Sequence, residues 1–163
     1  MTAALPDPNT GHVESLAVRD LRSDDLDEVV RIDALHTGRE KRDYWSATLR
    51  RFVDRTNRKQ VGLAVEETEG RLAGYLLGEV RAFEFGSEAC GWVFAVGVEP
   101  DRLRGHVASR LLREACRRFR TAGIETVRTM VRRNDVPVLS FFRTAGFEGG
   151  TFVQLERNLE EGA

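Results

Sequence analysis

The chain has 163 residues, 41% of them hydrophobic and 31% charged, and 25 basic residues offset 26 acidic ones to a formal net charge of −1. That size suits one domain with a sizeable core, and no apolar run reaches the roughly 18–20 residues that a bilayer span needs. Near-neutral charge, no interleaving of basic and aromatic residues and no reader motif argue against nucleic acid as a partner.

In chain order, the first 15 residues, MTAALPDPNTGHVES, lack the basic and apolar regions of a secretory signal. Their composition predicts a disordered leader over residues 1–14, followed by a single domain over 15–163. Leu16–Leu21 alternates as a first strand. Ser23 or Asp24 then caps a helix carrying Leu26, Val29, Val30, Ile32 and Leu35 at helical spacing. A second helical pattern covers 39–56, with Tyr44, Trp45, Leu49, Phe52 and Val53 as its apolar face. Strands follow at Gln60–Glu66 and Leu72–Phe85, joined by a turn at 68–71. Ala89–Val98 has the unbroken apolar character of a strand at the centre of a sheet.

Beyond Pro100 a short Arg/Gly-rich loop opens a helix with Val107, Leu111, Ala115, Cys116 and Phe119 on one stripe, stopped by Gly123. A strand feeding a helix in this way leaves the first helical N–H groups unpaired, and the helix dipole favours an anion there. Residues 102–143 hold eleven arginines against Glu114, Glu125 and Asp135. Most suit solvated helix faces, and those around Arg102, Arg104 and Arg110 suit an anionic ligand. Glu125–Val131 reads as a strand, Asn134 or Asp135 caps a last helix with Pro137 in its first turn, and Phe152–Arg157 reads as a closing strand. That edge offers a pairing surface for a homodimer. Cys90 and Cys116 match no metal or redox spacing, and three scattered histidines make no metal site. A buried, reduced Cys116 and a cytoplasmic location are expected.

The order β-α-α-β-β-β-α-β-α-β, together with Val-x-Val-x-Pro at 96–100, the loop and helix at 103–112, and Asn134-Asp135 followed by Phe-Phe-Arg-Thr-Ala-Gly-Phe up to 147, resembles the GCN5-related N-acetyltransferase (GNAT) superfamily from about Leu16 to Arg157. The resemblance implies an α/β (α+β) GNAT fold, with a mixed central sheet of about six to seven strands and about four helices. It also implies acetyl-CoA as co-substrate, no metal, and direct acetyl transfer to a primary amine in a ternary complex. The acceptor is a protein lysine or N-terminus, or a small amine; a non-catalytic acyl-CoA-sensing or partner-binding module is the alternative.

By position, the resemblance assigns the cofactor arm to backbone groups of Phe94, Ala95, Val96 and Val98, with the Val96 N–H facing the oxyanion. The pyrophosphate loop Q/R-x-x-G-x-G/A falls on Leu103, Arg104, Gly105, His106, Val107 and Ala108, with Ser109, Asn134, Asp135 and Phe142 also near the cofactor. Leu103 stands where Gln or Arg is usual, and His106 where the middle Gly is usual. His106 either covers the loop or donates to phosphate. Phe142 occupies the place of a Tyr that often protonates the leaving thiolate. Glu79 is the candidate general base, with Glu84 and Glu88 nearby. Tyr44, Trp45 and Arg42 belong to the region that governs acceptor choice in the family. The acidic run at 24–28 either attracts a cationic acceptor or stabilises a helix N-terminus.

Overall fold

The computed structural model describes residues 16–54, 56–68, 70–102 and 106–159. The expected leader over 1–14 therefore lies outside the described residues, as do Leu103, Arg104 and Gly105. The chain divides into two compact units, 1–130 and 131–163.

The first unit contains β1 (Val18–Asp20), α1 (Leu26–Thr37), α2 (Arg42–Phe52), β2 (Gln60–Thr68), β3 (Arg71–Arg81), β4 (Cys90–Val98), α3 (Val107–Thr121) and β5 (Val127–Thr129). One five-stranded sheet runs in the order β1-β2-β3-β4-β5. It is antiparallel through β4, and β5 joins β4 in parallel. Seven consecutive residues of β3, Leu72–Gly78, are buried, which requires cover on both faces. On one face Tyr75 and Leu77 meet Trp45, Leu49 and Phe52 of α2 and Val29 and Ile32 of α1 in one buried cluster. On the other lies α3, whose Phe119 ring is so close to the backbone at Gly91 that a Cβ there would stand 2.7 Å from it. Glycine on β4 is thus what admits an aromatic ring directly onto the sheet.

The element ends follow local chemistry. α1 stops at Gly38, whose left-handed φ of 72° lets its N–H return to the Ala34 carbonyl. α2 is shorter than its pattern because the Asp54 carboxylate captures the Thr56 N–H and hydroxyl in a turn. β3 ends at Arg81 rather than reaching Phe85, since Phe83 and Phe85 adopt left-handed φ of 62° and 49°. Cys90 is buried and Cys116 half-buried, and both are free thiols.

The second unit holds α4 (Val136–Thr144), capped as expected by Asp135, whose carboxylate accepts from the Val138 N–H. Phe142 is buried and packs edge-to-face with Phe141 and Phe147. The expected closing strand Phe152–Arg157 is not formed, and Val153 and Leu155 are exposed. The sheet therefore has five strands among the described residues, not six to seven. Alternating apolar residues make a segment fit for a strand, but a strand also needs a backbone partner. The dimer edge expected at 152–157 loses its strand for the same reason.

Candidate active site

The β3–β4 ladder changes register between Leu77 opposite Ala95 and Gly78 opposite Val93, so Phe94 is one extra residue on β4. Such a bulge bends the strand that carries it. Upstream of it, Gly91–Val93 pair with Val127–Thr129 of β5, and the Thr129 hydroxyl donates to the Val93 carbonyl at 2.9 Å. Downstream, 94–98 have no strand on that side among the described residues.

Which groups this exposes follows from alternation. The Glu99 N–H donates to Ala73 at 2.8 Å, and opposed residues of an antiparallel ladder exchange bonds at every second position. Gly97 and Ala95 therefore direct their N–H and C=O at β3, whereas Val96 and Val98 direct theirs outward, along the side that β5 has left. Past the end of β4, His106 begins α3 with a left-handed φ of 58° and no side-chain cap on the helix. Among the described residues, the first N–H groups of α3 are thus not covered by a capping side chain, with Val107 buried and Ala108 and Ser109 half-buried on its first turn. The left-handed backbone explains why glycine is usual at this place and shows that histidine adopts the same conformation.

Beside the open edge lies a cavity of about 370 Å³ between α1, α2, β3 and β4. Phe94, Ala95, Val96 and Gly97 form its β4 wall, Tyr44, Trp45 and Tyr75 its aromatic wall, and Asp33, His36, Thr37 and Lys41 the remainder. Gly97 is required here, because a Cβ would come within 2.5 Å of the Tyr75 ring. That ring meets Trp45 edge-to-face at 5.5 Å, and Trp45 meets Tyr44 at 5.0 Å. Asp33, buried on α1, accepts from Trp45 Nε1 at 2.9 Å and pairs with Lys41 Nζ at 2.9 Å. Burial, with smaller contributions from Asp33 and Tyr44, pushes the Tyr75 phenol far above its ordinary value, so it stays protonated. His36 Nε2 stands 2.6 Å from the Val98 carbonyl oxygen.

The cavity thus brings together Phe94, Ala95 and Val96 of the expected cofactor strand with Tyr44 and Trp45 of the expected acceptor region. Glu79 is elsewhere. Its two oxygens accept from Arg51 Nη2 at 3.0 Å and Arg81 Nε at 3.1 Å, and it does not line the cavity. Glu84 and Glu88 are exposed in the turn after β3. Asn134 is exposed, and the Asp135 carboxylate is engaged at the start of α4. Arg42 pairs with Asp27.

The acidic run is largely consumed inside the fold. Asp25 takes a two-pronged bond from Arg19, and Glu28 takes one from Arg31, which also reaches Glu99 at 2.5 Å. Neither Asp25 nor Glu28 is left to draw in an acceptor. Asp33, His36 and Lys41 line the cavity without belonging to any of the motifs above. A carboxylate directly after buried Ile32 on the apolar side of α1 was the available signal.

Residues 24–147 match the model of the acetyltransferase (GNAT) family. A mycothiol acetyltransferase from Saccharomonospora viridis is 33% identical over 86 residues, which make up 51% of this chain and 28% of that relative. Glucosamine-6-phosphate N-acetyltransferase from Arabidopsis thaliana shares the fold at a TM-score of 0.70 and 13% identity, over 89% of this chain and 99% of that one. An aminoglycoside N-acetyltransferase in complex with CoA superposes at 0.73 and 13% identity, over 88% and 95%. With a family match running from the turn before α1 to just past α4, and with β4 paired to β5 only over Gly91–Val93 beside a side-chain-lined cavity, the chain belongs to the acetyltransferase (GNAT) family.

Proposed function

We propose that this protein is an acetyl-CoA-dependent N-acetyltransferase that passes the acetyl group directly to a primary amine seated in the cavity between α1, α2 and β4. One observation carries the reading. The segment Ala95–Gly97 is both a wall of the cavity and part of the strand edge that β5 leaves open. A cofactor arm with amide groups, lying along the outward N–H and C=O of Val96 and the outward N–H of Val98, whose carbonyl is taken by His36, would complete that edge as a strand does. The uncapped start of α3 suits its phosphates, and Leu103–Ala108 is the loop assigned to them. Acetyl-CoA, when bound, supplies an activated thioester.

Within the chain, the Val96 N–H is the donor placed to receive charge growing on the carbonyl oxygen. Phe142 has no proton to give, so the sulfur is protonated by water or by another group, or leaves unassisted. The cavity volume lies in the range of small-molecule sites, and its aromatic wall and single lysine-paired carboxylate favour a small polar amine over a protein segment. The structural relatives named above act on aminosugar compounds, which agrees with that choice.

The test is calorimetric titration of acetyl-CoA, followed by CoA thiol release with small amines, aminosugars and lysine peptides. Saturable binding with release on small amines is expected. Absence of binding at high micromolar concentration overturns the reading, and binding without release on any amine indicates an acyl-CoA-sensing module.

A further inference from the structure

The transfer needs a group to take a proton from the acceptor nitrogen, and Glu79 is held outside the cavity. Resting on the acceptor reading above, we infer that His36, through Nδ1, is that proton acceptor.

The bond to Val98 fixes the His36 tautomer. A backbone carbonyl only accepts hydrogen bonds, so at 2.6 Å from the Val98 oxygen His36 Nε2 must carry a proton. A neutral imidazole holds one N–H, which leaves Nδ1 with a free lone pair and no partner among the described residues. The same bond fixes the ring. His36 lies in the last turn of α1, and its tether runs to β4 two residues beyond Val96, a spacing of about 7 Å along a strand. His36 and Val96 line one cavity. A base and the backbone donor for the oxyanion thus border the space in which an amine would sit.

The other titratable groups of the cavity do not serve. Asp33 on α1 has both oxygens engaged by Lys41 and Trp45. Lys41, between α1 and α2, is ion-paired with Asp33. Tyr44 on α2 is a phenol, which offers a proton in its ordinary form. Tyr75 on β3 is held protonated by burial. β4 contributes no charged side chain to the cavity wall.

The ammonium of the acceptor gives one proton to Nδ1. The freed nitrogen pair forms the C–N bond to the acetyl carbonyl carbon, and the C–S bond breaks with its electrons leaving on sulfur. The nitrogen then loses a second proton to that sulfur or to water, and the imidazolium returns its own to solvent.

Two measurements test this. Nitrogen NMR of the histidines, with His36→Gln used for assignment, should find neutral His36 protonated at Nε2; a ring protonated at Nδ1 overturns the inference whether or not an acceptor is known. In kinetics, H36Q can still donate to Val98 but has no basic nitrogen. It should bind acetyl-CoA as the unaltered protein does, lose about 100-fold in kcat/KM, and lose the acid limb of the pH profile. H36A should behave likewise, and added imidazole should partly restore it. If H36Q keeps activity within threefold of the unaltered protein, the bond to Val98 is only a brace between α1 and β4, and the inference falls. Thiol release by the unaltered protein tests the acceptor reading separately.

Discussion

At Gly97 and His106 the backbone decides what side chain is tolerated, for opposite reasons. Gly97 is a matter of space, since a Cβ would lie 2.5 Å from Tyr75 Cε1 and 2.7 Å from Cζ. Gly97→Ala should displace the Tyr75 ring and cost about 1–3 kcal/mol, read as a lowered midpoint in urea unfolding. His106 is a matter of conformation. A left-handed backbone costs a β-carbon residue roughly 1–2 kcal/mol, while glycine adds unfolded-state freedom of about 0.5–1 kcal/mol. His106→Gly should therefore leave the protein no less stable, and acetyl-CoA affinity unchanged or stronger. A tenfold loss of affinity by calorimetry would show that the imidazole touches the cofactor.

At the scale of elements, carboxylate–guanidinium pairs do much of the joining. Arg19 of β1 holds Asp25 ahead of α1 and Glu66 of β2, and Arg31 of α1 holds Glu28 and Glu99. The Arg31 bond holds Glu28 below its ordinary value, aided by the Leu72 N–H. The Gly70 N–H, then Arg19, do the same for Glu66. Arg117, then Arg118, hold Glu114 at about 2, against an ordinary 4.5. Carboxylates whose values fall on folding add stability above their unfolded value and lose it as pH falls through the folded one. Stability should thus be level above about pH 4.5 and decline between there and about pH 2. Urea midpoints measured from pH 7 to pH 2 check this, and Arg117→Ala should shift the decline of the Glu114 contribution to higher pH.

For the whole molecule, what could be read from sequence depends on the range of the interaction that encodes it. β3, β4 and α3 were legible because an apolar run or a 3.6-residue stripe is a local property. The bulge at Phe94 was not, since it is a relation between two strands. The strand expected at 152–157 failed because its pattern had no partner to pair with. The site divides in the same way. That Val96 stands on β4, where it lines the cavity, followed from its place two residues ahead of Val98 and four ahead of Pro100, whereas His36 and Val98 are 62 residues apart. No spacing rule connects them; only the packing of α1 against the sheet does. The Asp33–Trp45 bond likewise spans α1 and α2.

The extra residue on β4 also separates two properties that a sheet ordinarily binds together. Without Phe94, Ala95 would still face Leu77 and Gly97 would still face Tyr75, in one ladder continuous with Val93 opposite Gly78. What is lost is the Phe94 side chain itself, with its ring contact to Phe52 of α2 and its share of the cavity wall. The bend, by contrast, would go, and the outward groups of Val96 and Val98 would come into line with those of Gly91 and Val93. Phe94 therefore works as a shim: it leaves the seam with β3 closed while the far side of β4 turns away from the line of β5, so the closed seam and the unpaired edge are written in different residues.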